Sequence, residues 1–315
     1  MRWRDREGSE NVEDRRDESS GRRRFPFPFP RGGDDEGGGG FPRGIPIPGG
    51  SGGGLGIVGV LVVLALAYFL GIDPRVILEG GEDGIPLPRS EGTREASHPL
   101  SAEEQELTQF TSVVLKTTEE IWAEQFQRAG KTYTPPKLVL FRGDIDSGCG
   151  TGVTQMGPFY CPLDGKVYID LTFYGDLKNR FRAPGDFAQA YVVAHEIGHH
   201  VQTLLGTTEK VVRMRARSGE TEGNAIQVKM ELQADCFAGI WANRAQQKLQ
   251  VVEQGDIEEA LNAAAAIGDD RLQKRTQGRV VPDAFTHGTS EQRASWFKRG
   301  FDTGDIKACD TFGGV

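Results

Sequence analysis

The sequence predicts an α+β, mostly helical domain with a small sheet, preceded by a disordered tail and one transmembrane helix. Three stretches carry that expectation. Residues 1–54 lack apolar periodicity, residues 55–72 are uniformly apolar, and DFAQAYVVAHEIGHHVQTLL (186–205) reads as a buried helix with polar groups at regular spacing. The 315 residues allow one or two domains, but 43 Gly and 16 Pro are too many for a chain compact throughout. A net charge of -8 gives no reason to expect a nucleic-acid partner. Basic clusters such as Arg22, Arg23 and Arg24 are balanced by nearby acids.

Taken in order, residues 1–54 hold ten Arg and ten acidic residues, then FPFPFP and glycine runs, which read as a disordered spacer. The Phe-Pro pairs could also dock a partner. LGIVGVLVVLALAYFLGI (55–72) has no charge and no proline, and is long enough to cross a hydrocarbon core of roughly 30 Å. The arginines of the tail favour a cytoplasmic N-terminus. The expected location is therefore the cytoplasmic membrane, single-pass, with the domain outside the cytoplasm. Residues 73–98 form a linker and residues 99–315 the domain. All four cysteines lie beyond the apolar run, where an oxidising exterior would pair Cys149 with Cys161 across a hairpin and Cys236 with Cys309, tying the chain end to a helix. Four reduced, buried thiols are the alternative.

Within the domain, Ser101 followed by Glu104 makes a capping box for a long helix that Gly130 ends. KLVLFRG (137–143) and KVYIDLTFY (166–174) read as strands. A looped hairpin joins them, and its segment Met156 to Tyr160 is either an edge that holds an extended peptide or plain sheet. After the HEIGHH helix come a polar connection (206–223) and a second long helix, about 223–248, containing MELQADCFAGIWA.

HEIGHH carries the chemistry. Four residues of helix turn through roughly 400°, so His195 and His199 share one face and can grip a single Zn2+ ion. Glu196 sits beside them, where a carboxylate can take a proton from a metal-activated water. Glu231 is the candidate third ligand. Asp235, at i+4 on the same face, could accept the outward N–H of a ligand histidine, since two acids in so apolar a helix need compensation. A solvated acidic stripe is the competing account of that pair. His200 is about 100° away from His199 and reads as packing. The longer HExxHxxGxxH pattern fails at Thr203 and Gly206. His287 lies in a loop before a helix capped by Ser290, where it could steady an oxyanion or serve only as a satisfied loop histidine.

AHEIGHHVQ, ELQADCFAGIWA, GDDRLQ, VVPDAFTHGTSEQR and WFKRGFDTGD together resemble the bacterial neutral zinc metallopeptidase family, a group of membrane-anchored proteins. The resemblance covers roughly residues 100–315 plus the anchor. It implies a zincin fold of gluzincin-like type, a zinc site made of His195, His199 and Glu231, and Glu196 as the base. The expected function is that of a membrane-anchored zinc metallopeptidase acting on a peptide or protein substrate. Two other classes stay open, a zinc-binding membrane scaffold or chaperone-like protein and an amidase acting on cell-wall peptides.

Overall fold

Ser101 opens the first helix as its composition demands. The serine Oγ accepts the Glu104 N–H at 3.1 Å and the Glu104 carboxylate accepts the Ser101 N–H at 2.9 Å, which satisfies two of the helix's orphan donors. Helix α1 (Ala102–Arg128) then buries Phe110, Val113, Val114, Ile121 and Trp122 on one side. The structure, a computed structural model, describes residues 1–18 and 100–313. The expected spacer from residue 19 onward, the apolar run 55–72 and the linker 73–98 lie outside the described residues.

A four-stranded sheet has the order β1-β2-β6-β5, built from β1 (Val12–Asp14), β2 (Lys137–Phe141), β5 (Phe159–Cys161) and β6 (Lys166–Asp170). Strands β1, β2 and β6 are parallel, whereas β5 runs antiparallel to β6 with Phe159 opposite Tyr168. Their rings stack 4.8 Å apart. A separate hairpin, β3 (Asp144–Ser147) and β4 (Gly150–Val153), precedes β5. Its neighbourhood is stapled by Cys149–Cys161, and Cys236–Cys309 is the second disulfide. Both pairings are those expected.

The second predicted strand is shorter than its pattern suggested. Asp170 ends it, because its Oδ1 accepts both the backbone N–H of Thr172 at 3.0 Å and the threonine hydroxyl at 2.8 Å. That Asx turn starts helix α2 (Thr172–Asn179). The central helix α3 (Asp186–Leu205) carries HEIGHH and ends at Gly206, which is in the left-handed region. The polar connection after it contains a further helix, α4 (Thr207–Arg215), and α5 follows as Glu220–Arg244. Helices α6 (Asp256–Ala266), α7 (Asp269–Gln277) and α8 (Ser290–Thr303) complete the domain. Thr289, not Ser290, caps α8, in a capping box with Gln292. Between these layers lie Phe187 stacked on Trp241 at 5.4 Å, together with Tyr191, Phe237 and Phe297.

Two expectations are corrected. The segment 1–54 is not a tail throughout, since residues 1–18 join the domain. Trp3 is 6% exposed and meets Phe110 edge-on at 5.3 Å, Val12 pairs opposite Leu138, and the Met1 amine lies 3.0 Å from Asp186 at the head of α3. The single-pass membrane location also fails. Among the described residues no helix is long and apolar enough to cross a membrane. One crossing between residues 18 and 100 would moreover leave β1 and β2 on opposite faces of a bilayer, whereas they are paired in one sheet.

Candidate metal centre

Helices α3 and α5 meet at Gly198. A Cβ there would lie 2.9 Å from the Ala234 carbonyl oxygen and 3.0 Å from its Cα, so glycine permits an approach that any larger residue would block. The close crossing brings the acids of α5 against the histidines of α3. His195 Nε2 lies 3.3 Å and His199 Nε2 3.4 Å from the same oxygen, Glu231 Oε2. One donor atom from each of the three residues falls within 4.8 Å of the others.

The backs of these groups are held as well. His195 Nδ1–H donates to Asp235 Oδ1 at 2.8 Å. His199 Nδ1 lies 2.9 Å from Gln202 Oε1. The orientation of that amide is set by its NH2 group, which donates to the Met230 carbonyl at 2.7 Å and to Gln233 Oε1 at 3.1 Å. Gln227 Nε2 donates to Glu231 Oε1 at 2.8 Å, leaving Oε2 toward the imidazoles. Two Nε2 lone pairs and one carboxylate oxygen thus converge, with every outward position occupied. That donor set fits a zinc ion with an open fourth position.

Electrostatics follow from burial. Desolvation works against a charged His195, yet in the metal-free protein the Asp235 carboxylate and the Glu231 bond outweigh it and hold its pKa up to about 9, so a metal must displace the proton on Nε2 to use its lone pair. Burial likewise opposes ionised Glu231, and the facing His199 and His195 still hold it well below the usual carboxylate range. Desolvation raises Glu196 above its ordinary value, and the neighbouring imidazoles only partly offset this. A carboxylate of raised proton affinity beside a metal position is suited to accept and return a proton.

The site forms the floor of a cleft of about 700 Å³. Strand β5, one of the two edge strands of the sheet among the described residues, flanks it through Phe159 and Tyr160, and the 154–158 segment continues that wall. Phe173, Phe181, Val192, Ile267 and Leu272 contribute apolar lining. His287 also lines the cleft, half-exposed, with Nδ1 at 3.0 Å from the Thr286 hydroxyl and 3.4 Å from Asp269. His200 stays out of the metal position. Its Nε2 donates to the Thr134 carbonyl at 2.7 Å and its Nδ1 faces the Tyr160 hydroxyl at 3.2 Å. Burial depresses its pKa, so it is a neutral packing group.

A profile of the family described as "Putative neutral zinc metallopeptidase" matches residues 1–312. The chain belongs to this family. "Uncharacterized protein YpfJ" of Escherichia coli (strain K12) is 53% identical over 313 residues, 99% of each chain. "Uncharacterized protein Mb2605" of Mycobacterium bovis and "Uncharacterized protein Rv2575" of Mycobacterium tuberculosis are each 46% identical over 190 residues, covering 57% of this chain and 63% of theirs. No solved structure matches. In this member of the neutral zinc metallopeptidase family, sequence reasoning singled out His195, Glu196, His199, Glu231, Asp235 and His287; five of them line one cleft, and Asp235 is buried behind His195. It missed Tyr191, Gln202, Gln227, Asp269 and Arg293. A signal existed for two of them, since Gln202 is one turn beyond His199 and Arg293 shares a helical face with Phe297 and Gly300.

Proposed function

We propose that the chain is a zinc-dependent peptidase, gluzincin-like in its ligand set, with His195, His199 and Glu231 holding one Zn2+ and Glu196 acting as general base. The observation that carries this reading is the placement of Glu196. It lies 7% exposed on the floor of an open cleft, next to the three converging donors and with its proton affinity raised by burial. A purely structural zinc site needs neither a base nor an open cleft.

The bound ion would supply Lewis acidity, lowering the pKa of a water and polarising the scissile carbonyl. Glu196 takes the proton from the attacking water and passes it to the leaving amine. Asp235 and Gln202 keep the Nε2 lone pairs of His195 and His199 directed inward, and Gln227 does the same for Glu231 Oε2. The edge of β5, unpaired among the described residues, offers backbone N–H and C=O groups to an extended peptide, the β-augmentation mode of recognition. His287 stands at the cleft wall, where an imidazole N–H can donate to the developing oxyanion.

The test compares Glu196→Gln with His199→Ala, measuring metal content and cleavage of a mixed peptide library by mass spectrometry. Glu196→Gln should keep one zinc per chain and lose hydrolysis by at least about a hundredfold, while His199→Ala should lose both. Hydrolysis retained by Glu196→Gln rules out its role as base. Zinc bound by a wild-type protein that cleaves no peptide would point to a zinc-dependent scaffold.

A further inference from the structure

Asp235 is fully buried and sits where three helices meet, so its charge must be balanced inside the protein. Its Oδ1 accepts from the Tyr191 hydroxyl at 2.5 Å and from His195 Nδ1–H at 2.8 Å, both on α3. Arg293, on α8 and only 2% exposed, closes the other side with a fork, Nε to Oδ2 at 2.9 Å and Nη2 to Oδ1 at 3.0 Å. The same Nη2 reaches the Tyr191 hydroxyl at 3.2 Å. A histidine that ligates a metal is neutral, so it cannot balance Asp235. Arg293 does so, and its rigid fork also sets the plane of the carboxylate.

We propose that Arg293 is a positioning residue for the metal site. Through Asp235, and through its own Nη2 lying 3.4 Å from His195 Nδ1 and 3.5 Å from Nε2, it fixes the orientation and the Nδ1–H tautomer of His195, so that docking of α8 completes a site whose ligands all lie on α3 and α5. The consequence is that metal affinity depends on a helix that contributes no ligand. His199 differs, because a neutral amide holds its Nδ1 and, among the described residues, no ion pair stands behind it. This inference rests on the reading of His195 as a ligand but not on hydrolysis.

Charge and geometry act in opposite directions here, which selects the variants. Removing a buried cation near the ion would by itself strengthen zinc binding, whereas loosening His195 weakens it. Arg293→Lys keeps the charge and loses the fork. Zinc affinity is measured by competition with a chromophoric chelator on the intact chain, and urea midpoints are measured on the zinc-free protein. Arg293→Lys and Asp235→Asn should each lower affinity about tenfold or more. The double variant should lose less than the product of the two single losses, because both residues act on the one imidazole of His195. Cobalt-substituted Arg293→Lys should show an altered ligand-field spectrum, and Arg299→Lys, exposed on the same helix, should match wild type.

Unchanged zinc affinity in Arg293→Lys with a lowered urea midpoint would mean a purely structural arginine and overturn the proposal. Multiplicative losses in the double variant would overturn it as well. If Arg293→Lys does not fold, Arg293→Gln replaces it. There the lost charge alone would tighten binding, so a fall supports positioning and a rise or no change refutes it. Wild-type protein that binds no zinc refutes the metal site itself, and this inference with it, while zinc binding without peptide cleavage touches only the proposed hydrolysis.

Discussion

Asp269 organises the loop that presents His287. One oxygen, Oδ2, accepts three consecutive backbone N–H groups, from Thr286 at 2.7 Å, His287 at 2.6 Å and Gly288 at 3.0 Å. Burial opposes its charge, but the His287 contacts and these amides hold its pKa below the ordinary value. A depressed carboxylate contributes stability that is present above the unfolded pKa of about 4 and is lost as pH falls through the folded value. Asp269→Asn should therefore lower stability at pH 7 by about 2 kcal/mol, the scale of a charged hydrogen bond. The gap between variant and wild type in urea midpoint should shrink between pH 5 and pH 3, and a constant gap would mean that charge plays no part. With His287 displaced, hydrolysis should fall while zinc content stays at one per chain. The sequence exposed His287 through residue type and loop context. It could not expose Asp269, whose partners are backbone amides 17 to 19 positions away, an arrangement that leaves no pattern in side-chain types. The candidate ligands His195 and His199 were legible because a helix converts a spacing of four into one face, whereas Arg293 offered only the face it shares with Phe297 and Gly300, because its partners lie on two other helices.

Among the elements, α1 was readable from its capping box, since the interaction is local and repeats along one turn. Helix α2 was misread because TFY has strand propensity, and only the Asx turn of Asp170 overrides it. The pairing of α5 with α8 depends on glycine at position 300. A Cβ there would come within 1.9 Å of the Cys236 carbonyl oxygen, so Gly300→Ala must push the two helices apart, at a cost of about 1–3 kcal/mol. The displacement acts on the helix that carries Arg293. Zinc affinity should fall along with the urea midpoint, and a stable Gly300→Ala protein of unchanged affinity would separate helix docking from the metal site. The disulfides obey a similar division. Cys236–Cys309 spans 73 positions and both sulfur-bearing residues are fully buried, whereas Cys149–Cys161 spans 12 and Cys149 is exposed. Chain-entropy arguments give about 4 kcal/mol for the first and about 3 kcal/mol for the second. Under dithiothreitol the Cys149–Cys161 bond should open first, visible as two alkylated cysteines by mass spectrometry, and Cys236–Cys309 only on unfolding.

At the scale of the whole molecule, the first 18 residues close one side of the sheet. Three residues of strand in a segment rich in Arg and acids carry no recognisable period. Strand β1 exists because β2 supplies its hydrogen-bond partners and α1 a surface for Trp3. Such order comes from tertiary contact, so composition alone read the segment as a spacer. Side chains reinforce the docking, with Ser9 Oγ and Asn11 Nδ2 both donating to Glu119 at 2.7 and 2.8 Å, and Lys166 paired with Glu13 at 2.8 Å. These polar links are partly exposed and worth little singly; the buried Trp3 ring dominates. Trp3→Ala should lower unfolding free energy by about 3–5 kcal/mol, read from urea unfolding of the full chain. Because Trp3 meets Phe110 on α1, a helix that carries none of the proposed metal ligands, zinc affinity of the folded protein should remain that of wild type. Deleting residues 1–18 should cost more, since it also uncovers the edge of β2 with its row of unpaired backbone groups. That variant should self-associate on gel filtration at concentrations where Trp3→Ala stays dispersed. If the deletion left both the urea midpoint and the elution position unchanged, the N-terminal segment would rest on the domain without supporting it.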